Sequence, residues 1–167
     1  YLRLIRDSKE QTNVPIIASV NCVTSQEWPR YCKELVDAGA DGIELNVAIV
    51  PKDEKISSLE IEDIYVKVVE EVRKNVNIPI AIKLGPFFSN GFNMTNRLCQ
   101  AGVDAIVVFN RFYRPDIDIE TEEITRPNYL SCPQEMGQPL RWASLFASRV
   151  KCDIAGNTGI HDGSGMI

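Results

Sequence analysis

Polar residues stand near the ends of several apolar segments that have the composition of buried strands. Because side chains alternate across a strand, we expect one face of these strand ends to carry a set of polar groups. The set is Ser19, Asn21, Glu44, Asn46, Lys83 and Asn110, with Val108 predicted to share the face of Asn110. Parallel strands buried on both sides are normally apolar throughout. Polar groups that converge at one end of such strands therefore indicate a site.

Lys83 is the strongest single signal, because an ammonium group buried inside a fold needs a partner or a function. One interpretation is a structural ion pair with Glu44. The functional interpretations are an anion holder and an amine nucleophile that forms a Schiff base with a phosphorylated carbonyl substrate, as in an aldolase. Asn46 and Asn110 could each bond loop backbone; together and facing Lys83, they fit donors and acceptors to a planar polar ring.

A glycine-rich segment at 155–163 follows the last apolar segment. Such a turn exposes backbone N–H groups that can bind a phosphate. His161 is the only histidine of the chain, and we interpret it as a turn residue rather than a catalytic base. Cys22 is interpreted as a buried, inert thiol. No metal-ligand spacing is recognisable, so no metal site is predicted.

Two phrases repeat in the chain and predict the elements that position these residues. Residues 38–46 read Ala-Gly-Ala-Asp-Gly-Ile-Glu-Leu-Asn, and 101–110 read Ala-Gly-Val-Asp-Ala-Ile-Val-Val-Phe-Asn; Asn-Ile-Pro-Ile at 77–80 likewise echoes Asn-Val-Pro-Ile at 13–16. A helix that ends in Gly, followed by an apolar strand, is one β/α unit of a parallel sheet. The predicted strands are 14–21, 42–47, 79–84, 104–110 and 152–156. The predicted helices are 25–37, 58–75, 91–101 and 138–149, with a further helix around the first six residues and a hairpin within 115–129.

Two helix starts carry capping signals. Thr24 or Ser25 is the expected N-cap of the first of these helices, with Glu27 placed for a capping box, and Ser57 with Glu60 repeats the pattern. The helix after Ser57 has an apolar stripe suited to covering a sheet. Its members are Ile61, Ile64, Tyr65, Val68 and Val72.

These units indicate the α/β class, either a (β/α)₈ TIM barrel or a doubly wound sheet. We predict one domain over 1–167, a partial TIM barrel of about five β/α units, because the 167 residues fall short of the roughly 250 of a whole barrel.

The net charge of -5 argues against nucleic acid as a binding partner. No apolar run approaches the roughly 18 residues of a membrane span. Five cysteines without a Cys-x-x-Cys pair indicate a reducing, cytoplasmic setting without disulfides. A homodimer is one assembly that the sequence leaves open.

In its motifs the chain resembles the dihydroorotate dehydrogenase family of FMN-dependent barrels. The matching pieces are Gly-Ala-Asp-Gly-Ile-Glu-Leu-Asn, Ile-Pro-Ile-Ala-Ile-Lys-Leu-Gly-Pro, Val-Val-Phe-Asn and Gly-Asn-Thr-Gly-Ile, in the family's order from about residue 13 onward. Two further pieces make it similar to a divergent, dihydroorotate dehydrogenase-like branch. They are Asn-Arg-Phe-Tyr-x-Pro-Asp-Ile-Asp at 110–118 and Leu-Arg-Trp at 140–142.

The resemblance implies FMN as cofactor and a place in pyrimidine biosynthesis. It implies an oxidoreductase that passes hydride between flavin N5 and a CH–CH bond of a small polar ring substrate. Lys83 would lie beside the flavin N1/O2 edge, and Asn46 and Asn110 between flavin and substrate. The loop of Gly156, Thr158 and Gly159 would bind the cofactor, with the backbone of the last two on the FMN phosphate. Cys132-Pro133 would fall near the ribityl chain.

One position departs from the family pattern. The family carries a cysteine or serine base three residues after the position of Asn46, and here that position is Ile49, which cannot take a proton. Pro51 replaces a later asparagine. Asp53 and Glu54 could fold back over the site as part of a lid. The sequence therefore supports flavin binding better than dihydroorotate oxidation, and a non-catalytic flavin-binding barrel stays open beside the aldolase alternative.

Overall fold

A computed structural model describes residues 1–22, 27–113, 115–125 and 130–166. Its main sheet has five parallel strands in the order in which they occur in the chain. They are β1 (Ile17–Val20), β2 (Gly42–Asn46), β3 (Ile80–Leu84), β4 (Ala105–Val108) and β7 (Asp153–Gly156). A sequential, all-parallel order is that of a (β/α)₈ barrel, whereas a doubly wound sheet reverses its order at a switch point. The predicted partial barrel is confirmed.

Helices alternate with these strands as predicted. They are α1 (Leu2–Gln11), α2 (Glu27–Asp37), α3 (Ser58–Arg73), α4 (Gly91–Ala101) and α5 (Gly137–Ala147), with 3₁₀ turns at Pro133–Met136 and Ser164–Met166. One face of the sheet is fully apolar, and Ile43, Ile82 and Ile106 on it are 0% exposed. It packs against the buried sides of α3 and α4 in the larger of two core clusters. The opposite face carries the polar strand-end residues, of which Glu44, Asn46 and Lys83 are half-buried.

Helix α3 begins with the predicted capping box, in which Ser57 Oγ accepts the Glu60 N–H at 3.3 Å and Glu60 Oε2 accepts the Ser57 N–H at 2.7 Å. The predicted stripe is correct except at Ile64, which is 37% exposed while Val69 is fully buried. The predicted stripe did not include Val69, although Val69 lies one helical turn after Tyr65 on the same side of α3. The predicted N-cap of α2, Thr24 or Ser25, lies outside the described residues.

The repeated aspartates hold the repeated proline segments in place. Asp41 Oδ2 accepts the Ile16 N–H at 2.7 Å and pairs with Lys9 at 2.7 Å. Asp104 Oδ2 likewise accepts the Ile80 N–H at 2.8 Å, and it pairs with Arg73 of α3 at 2.6 Å. Each aspartate thus joins the start of its own strand to the start of the preceding strand. The two repeats are one structural device used twice.

Two smaller features complete the fold. Asp116–Ile117 (β5) and Ile124–Thr125 (β6) form the predicted hairpin. Cys99 and Cys152 are joined in a disulfide, with Cα atoms 6.0 Å apart, so the expectation of five reduced cysteines is wrong for this pair. The two cysteines are 53 residues apart in sequence. Cys99 lies in α4 and Cys152 directly precedes β7, so no local pattern in the sequence indicates their pairing. Among the described residues, no helix has the length and apolar composition that crossing a membrane requires.

Candidate functional site at the strand ends

The register of the sheet places the predicted polar residues side by side at the carboxyl ends of the strands. Ser19 is the neighbour of Glu44, and Asn46 is the neighbour of Lys83. Lys83 Nζ lies 3.3 Å from Glu44 Oε1, and Ser19 Oγ donates to the same oxygen at 2.6 Å. The Lys83 and Glu44 side chains are 19% and 16% exposed. The structure thus contains the ion pair that was one of the interpretations of Lys83.

A second pair lies beside the first. Asn110 Nδ2 donates to Asn46 Oδ1 at 2.6 Å, joining the end of β2 to the segment after β4. The predicted face of Val108 is wrong, because Val108 is the register neighbour of Leu84 in the core and Val107 is the neighbour of Lys83. Strand alternation stops at Val108, where β4 ends. Asn110 therefore reaches the polar face although a continued strand would have turned it to the core.

The arrangement offers hydrogen-bond donors on the polar face of the sheet. An ammonium group has three N–H donors, and the described contact of Lys83 uses one of them. The carboxylate of Glu44 and the hydroxyl of Ser19 fix the position of the lysine. Hydrogen bonding between Asn46 and Asn110 fixes both amides with N–H groups to spare. A rigid cluster of this kind can bind the polar edge of a planar ring.

The glycine-rich loop lies at the end of β7, next to β4. The Asn157 N–H donates to Val108 O at 2.7 Å, and the Asn157 side chain donates to Phe109 O at 2.8 Å. Thr158 and Gly159 both have left-handed backbones, with φ of 82° and 79°, where glycine is favoured. The Gly159 N–H donates to Ser131 Oγ at 3.2 Å, so a phosphate at this amide would have to replace that bond.

The structure brings Asn110 and Thr158 to one cavity of about 280 Å³, which also contacts Arg111 and the 3₁₀ turn after Cys132. Sequence reasoning missed the ion pair on its wall. Arg111 Nε lies 2.8 Å from Glu135 Oε2. Hydrogen bonds from the Arg111 guanidinium, and then from the Cys132 N–H, lower the pKa of Glu135 from 4.5 to about 2. Arg111 lies in the segment after β4 and Glu135 lies 24 residues later, inside a 3₁₀ turn, so their pairing leaves no local signal in the sequence.

Of the remaining predicted site residues, Asn21 is exposed just beyond β1, and Gly156 is exposed at the end of β7. Cys22 is half-buried rather than buried as predicted; burial, followed by the charge of Glu27, raises the pKa of its thiol. His161 is exposed with Nε2 3.3 Å from Ser131 Oγ. Within the described ranges, no group of three or more His, Cys, Asp and Glu side chains is arranged to bind a metal ion.

Ile49, which the resemblance predicts to stand where the family has its base, lines a different, mostly apolar cavity of about 440 Å³. Its N–H donates to the buried hydroxyl of Tyr65 at 3.2 Å, which fixes the loop after β2. Asp53, considered as a lid residue, accepts the Lys55 N–H at 2.9 Å in a local turn, and both Asp53 and Glu54 are exposed. The contact of Asp53 therefore stabilises its own turn.

The family model for dihydroorotate dehydrogenase matches residues 1–139. The chain belongs to the dihydroorotate dehydrogenase family. Among its curated relatives is the catalytic subunit of dihydroorotate dehydrogenase B (NAD(+)) of Petrotoga mobilis, 32% identical over 151 residues, which are 88% of this chain and 50% of the relative. The subunit of the same name from Methanosarcina mazei is 29% identical over 122 residues, 72% of this chain and 39% of the relative. The chain thus spans about half the length, or less, of the curated relatives it matches.

Solved structures agree with this family's barrel architecture. Phosphonopyruvate hydrolase superposes with a TM-score of 0.58 at 17% identity, over 93% of this chain and 58% of that one. A dihydrodipicolinate synthase from Agrobacterium tumefaciens superposes with a TM-score of 0.55 at 17% identity, over 93% of this chain and 45% of that one. At this identity the likeness concerns the fold alone.

Proposed function

We propose that the protein is an FMN-dependent oxidoreductase of the dihydroorotate dehydrogenase type. The observation that carries the proposal is the juxtaposition of the Lys83–Glu44 pair with the Asn46–Asn110 pair at the strand ends of a family member. Catalytic groups of barrel enzymes lie at this end of the strands. The family match favours a flavin over the Schiff-base alternative.

The donor chemistry of the cluster fits a flavin. The isoalloxazine is planar, and its N1/O2 edge accepts hydrogen bonds and gains negative charge on reduction. Lys83 supplies a positively charged hydrogen-bond donor. Its side chain is 19% exposed, so it is largely shielded from solvent but still accessible to a ligand. The adjoining 280 Å³ cavity between the ends of β4 and β7 would take part of the ribityl phosphate chain, with Thr158 and Gly159 nearest the phosphate.

When bound, the flavin supplies a two-electron acceptor or donor for hydride transfer. The protein's own groups would act by position and charge. Lys83 would stabilise negative charge at the N1/O2 edge, since a preorganised charge in a partly dry site is more effective than one in water. Glu44 would hold Lys83 in place through the 3.3 Å contact. The paired amides of Asn46 and Asn110 would orient the substrate's polar edge.

Proton removal is the step for which the expected residue is missing. Ile49 offers no proton acceptor, and the described contact of Asp53 is within its own turn. A positioned general base contributes about 10² to 10⁴ in rate. We therefore propose that the protein oxidises dihydroorotate slowly or not at all, and that its substrate differs from that of its named relatives.

The test is flavin retention and reduction potential in the purified protein. Lys83→Ala should release FMN more readily or lower its reduction potential, because a cation that stabilises the reduced form is lost. Lys67→Ala is the matched control, since Lys67 is exposed on α3. A Lys83→Ala protein with unchanged flavin content and potential would contradict the assignment. A colourless wild-type protein that borohydride traps with a carbonyl substrate would support the aldolase instead.

A further inference from the structure

The 440 Å³ cavity that includes Ile49 lies between three loops and the first turns of α3. These loops leave β2, β3 and β4 immediately after the residues of the proposed flavin site. Ile49 follows Asn46 in the first loop, Gly85 follows Lys83 in the second, and Phe112 follows Asn110 in the third. Asn46, Lys83 and Asn110 do not line the cavity themselves, but each is followed within three residues by one that does, on a loop that leaves the same end of the sheet.

Aromatic rings form much of its wall. Phe87 is 75% exposed and meets the Phe112 ring edge-on at 5.1 Å, and Phe88 meets Tyr65 edge-on at 5.4 Å. Gly85 makes this possible, because a Cβ there would lie 2.8 Å from the Phe112 ring. An exposed phenylalanine beside further apolar groups marks a binding surface rather than a core.

The charge on the wall restricts the ligand. Among the described lining residues, one side chain is charged, that of Glu62, and it is already paired with Arg97 at 3.1 Å. A ligand carboxylate would find no cation among these residues and would meet an acid. The volume falls within the range of roughly 300 to 1,000 Å³ of small-molecule sites. Chemistry and size together fit a neutral, apolar ring.

We propose that this cavity receives a neutral, mainly apolar ring of the substrate, in place of the carboxylate-bearing ring of dihydroorotate. The assignment rests on the proposed flavin function, because the reacting part of such a substrate must reach the flavin beside Asn46 and Asn110. The hydroxyls of Ser58 and Ser89 on the wall would supply weak orienting hydrogen bonds. Replacement of the base by Ile49 then has a second consequence: it completes an apolar wall.

The experiment is a pair of titrations on the purified protein. The first follows FMN binding by absorbance. The second follows the fluorescence of the neutral probe N-phenyl-1-naphthylamine, with its anionic counterpart 8-anilinonaphthalene-1-sulfonate for comparison. Val50→Trp should fill the cavity and weaken binding of the neutral probe at least tenfold. Val14→Trp is the matched control, because Val14 is 62% exposed away from the cavity and Val50 is 67% exposed on its wall.

The neutral probe should bind more tightly than the anionic one and should shift the visible band of bound FMN. Val50→Trp should weaken the binding and reduce the shift, whereas Val14→Trp should change neither. Phe87→Ser, a change at an exposed side chain, should also weaken binding of the neutral probe. It provides the test if the Val50→Trp protein does not fold. Three results would overturn the inference and leave the proposed function standing, provided that the protein binds FMN. They are no binding of the neutral probe, equal affinity for the neutral and the anionic probe, and unchanged probe binding in both cavity variants. Probe binding without FMN binding would overturn the proposed function and the substrate assignment with it.

Discussion

Gly159 is where a single methyl group should do the most damage to the cofactor loop. Its φ is +79°, and an added Cβ would overlap the backbone N of Met136 and lie 2.9 Å from the Met136 Cα. The obstacle is backbone at the end of the 3₁₀ turn, which cannot rotate away as a side chain can. Gly159→Ala must therefore either distort the loop after β7 or push away the segment Pro133–Met136.

Three contributions set the magnitude. A left-handed conformation costs a non-glycine residue about 1 to 2 kcal/mol. Overpacking against fixed atoms costs about 1 to 3 kcal/mol more, and the reduced freedom of the unfolded chain returns about 0.4 to 1 kcal/mol. We expect Gly159→Ala to lower the free energy of unfolding by about 1 to 5 kcal/mol, and to weaken FMN binding because Thr158 and the Gly159 amide move with the loop.

The assay is urea unfolding of the purified protein, followed by an FMN titration of the folded fraction. Gly156→Ala, in the last residue of β7 before the loop, is the control: its φ is not left-handed, and its Cβ would meet its nearest neighbour, Ile160, at an ordinary 3.6 Å. That variant should have a stability within about 0.5 kcal/mol of wild type. If Gly159→Ala matches Gly156→Ala, the close approach of the 3₁₀ turn to the loop is refuted.

Three further results are expected. The pKa of Glu135 is lowered from 4.5 to about 2 in the folded protein, so its pairing with Arg111 stabilises the fold fully above pH 4.5. The stability lost in Glu135→Gln should therefore shrink as the pH falls from 4.5 toward 2, which unfolding measured across that pH range would show. Arg73 donates to two backbone carbonyls and to an aspartate, so Arg73→Leu should lower the free energy of unfolding by about 2 to 3 kcal/mol, whereas Lys67→Leu on the exposed side of α3 should change it by less than about 0.5 kcal/mol. In stopped-flow reduction of bound FMN by dihydroorotate, Ile49→Cys should accelerate bleaching by about 10² to 10⁴; rapid bleaching in the wild-type protein would show that another residue supplies the base.

The sequence by itself determined the type and order of the main helices and strands, and the polar face of the first three strands. Each relevant signal is local: a capping box at Ser57, a glycine that ends a helix, and two-residue alternation that separates Lys83 from Ile82. These depend on neighbours along the chain and on the geometry of single elements. For the same reason, Lys83, Glu44 and Asn46 could be assigned to one face before any fold was known.

The tertiary structure decided what depends on the meeting of distant segments. The face of Val108 was predicted wrongly because alternation carries no information beyond a strand's end, and Asn110 reaches Asn46 only through the turn that follows. The pairing of Arg111 with Glu135 joins different elements. The apolar cavity between the three loops is likewise invisible in sequence, because its wall is assembled from segments that share no period and no spacing. Close packing of whole elements, rather than local propensity, creates these contacts, and it decides which groups surround a ligand.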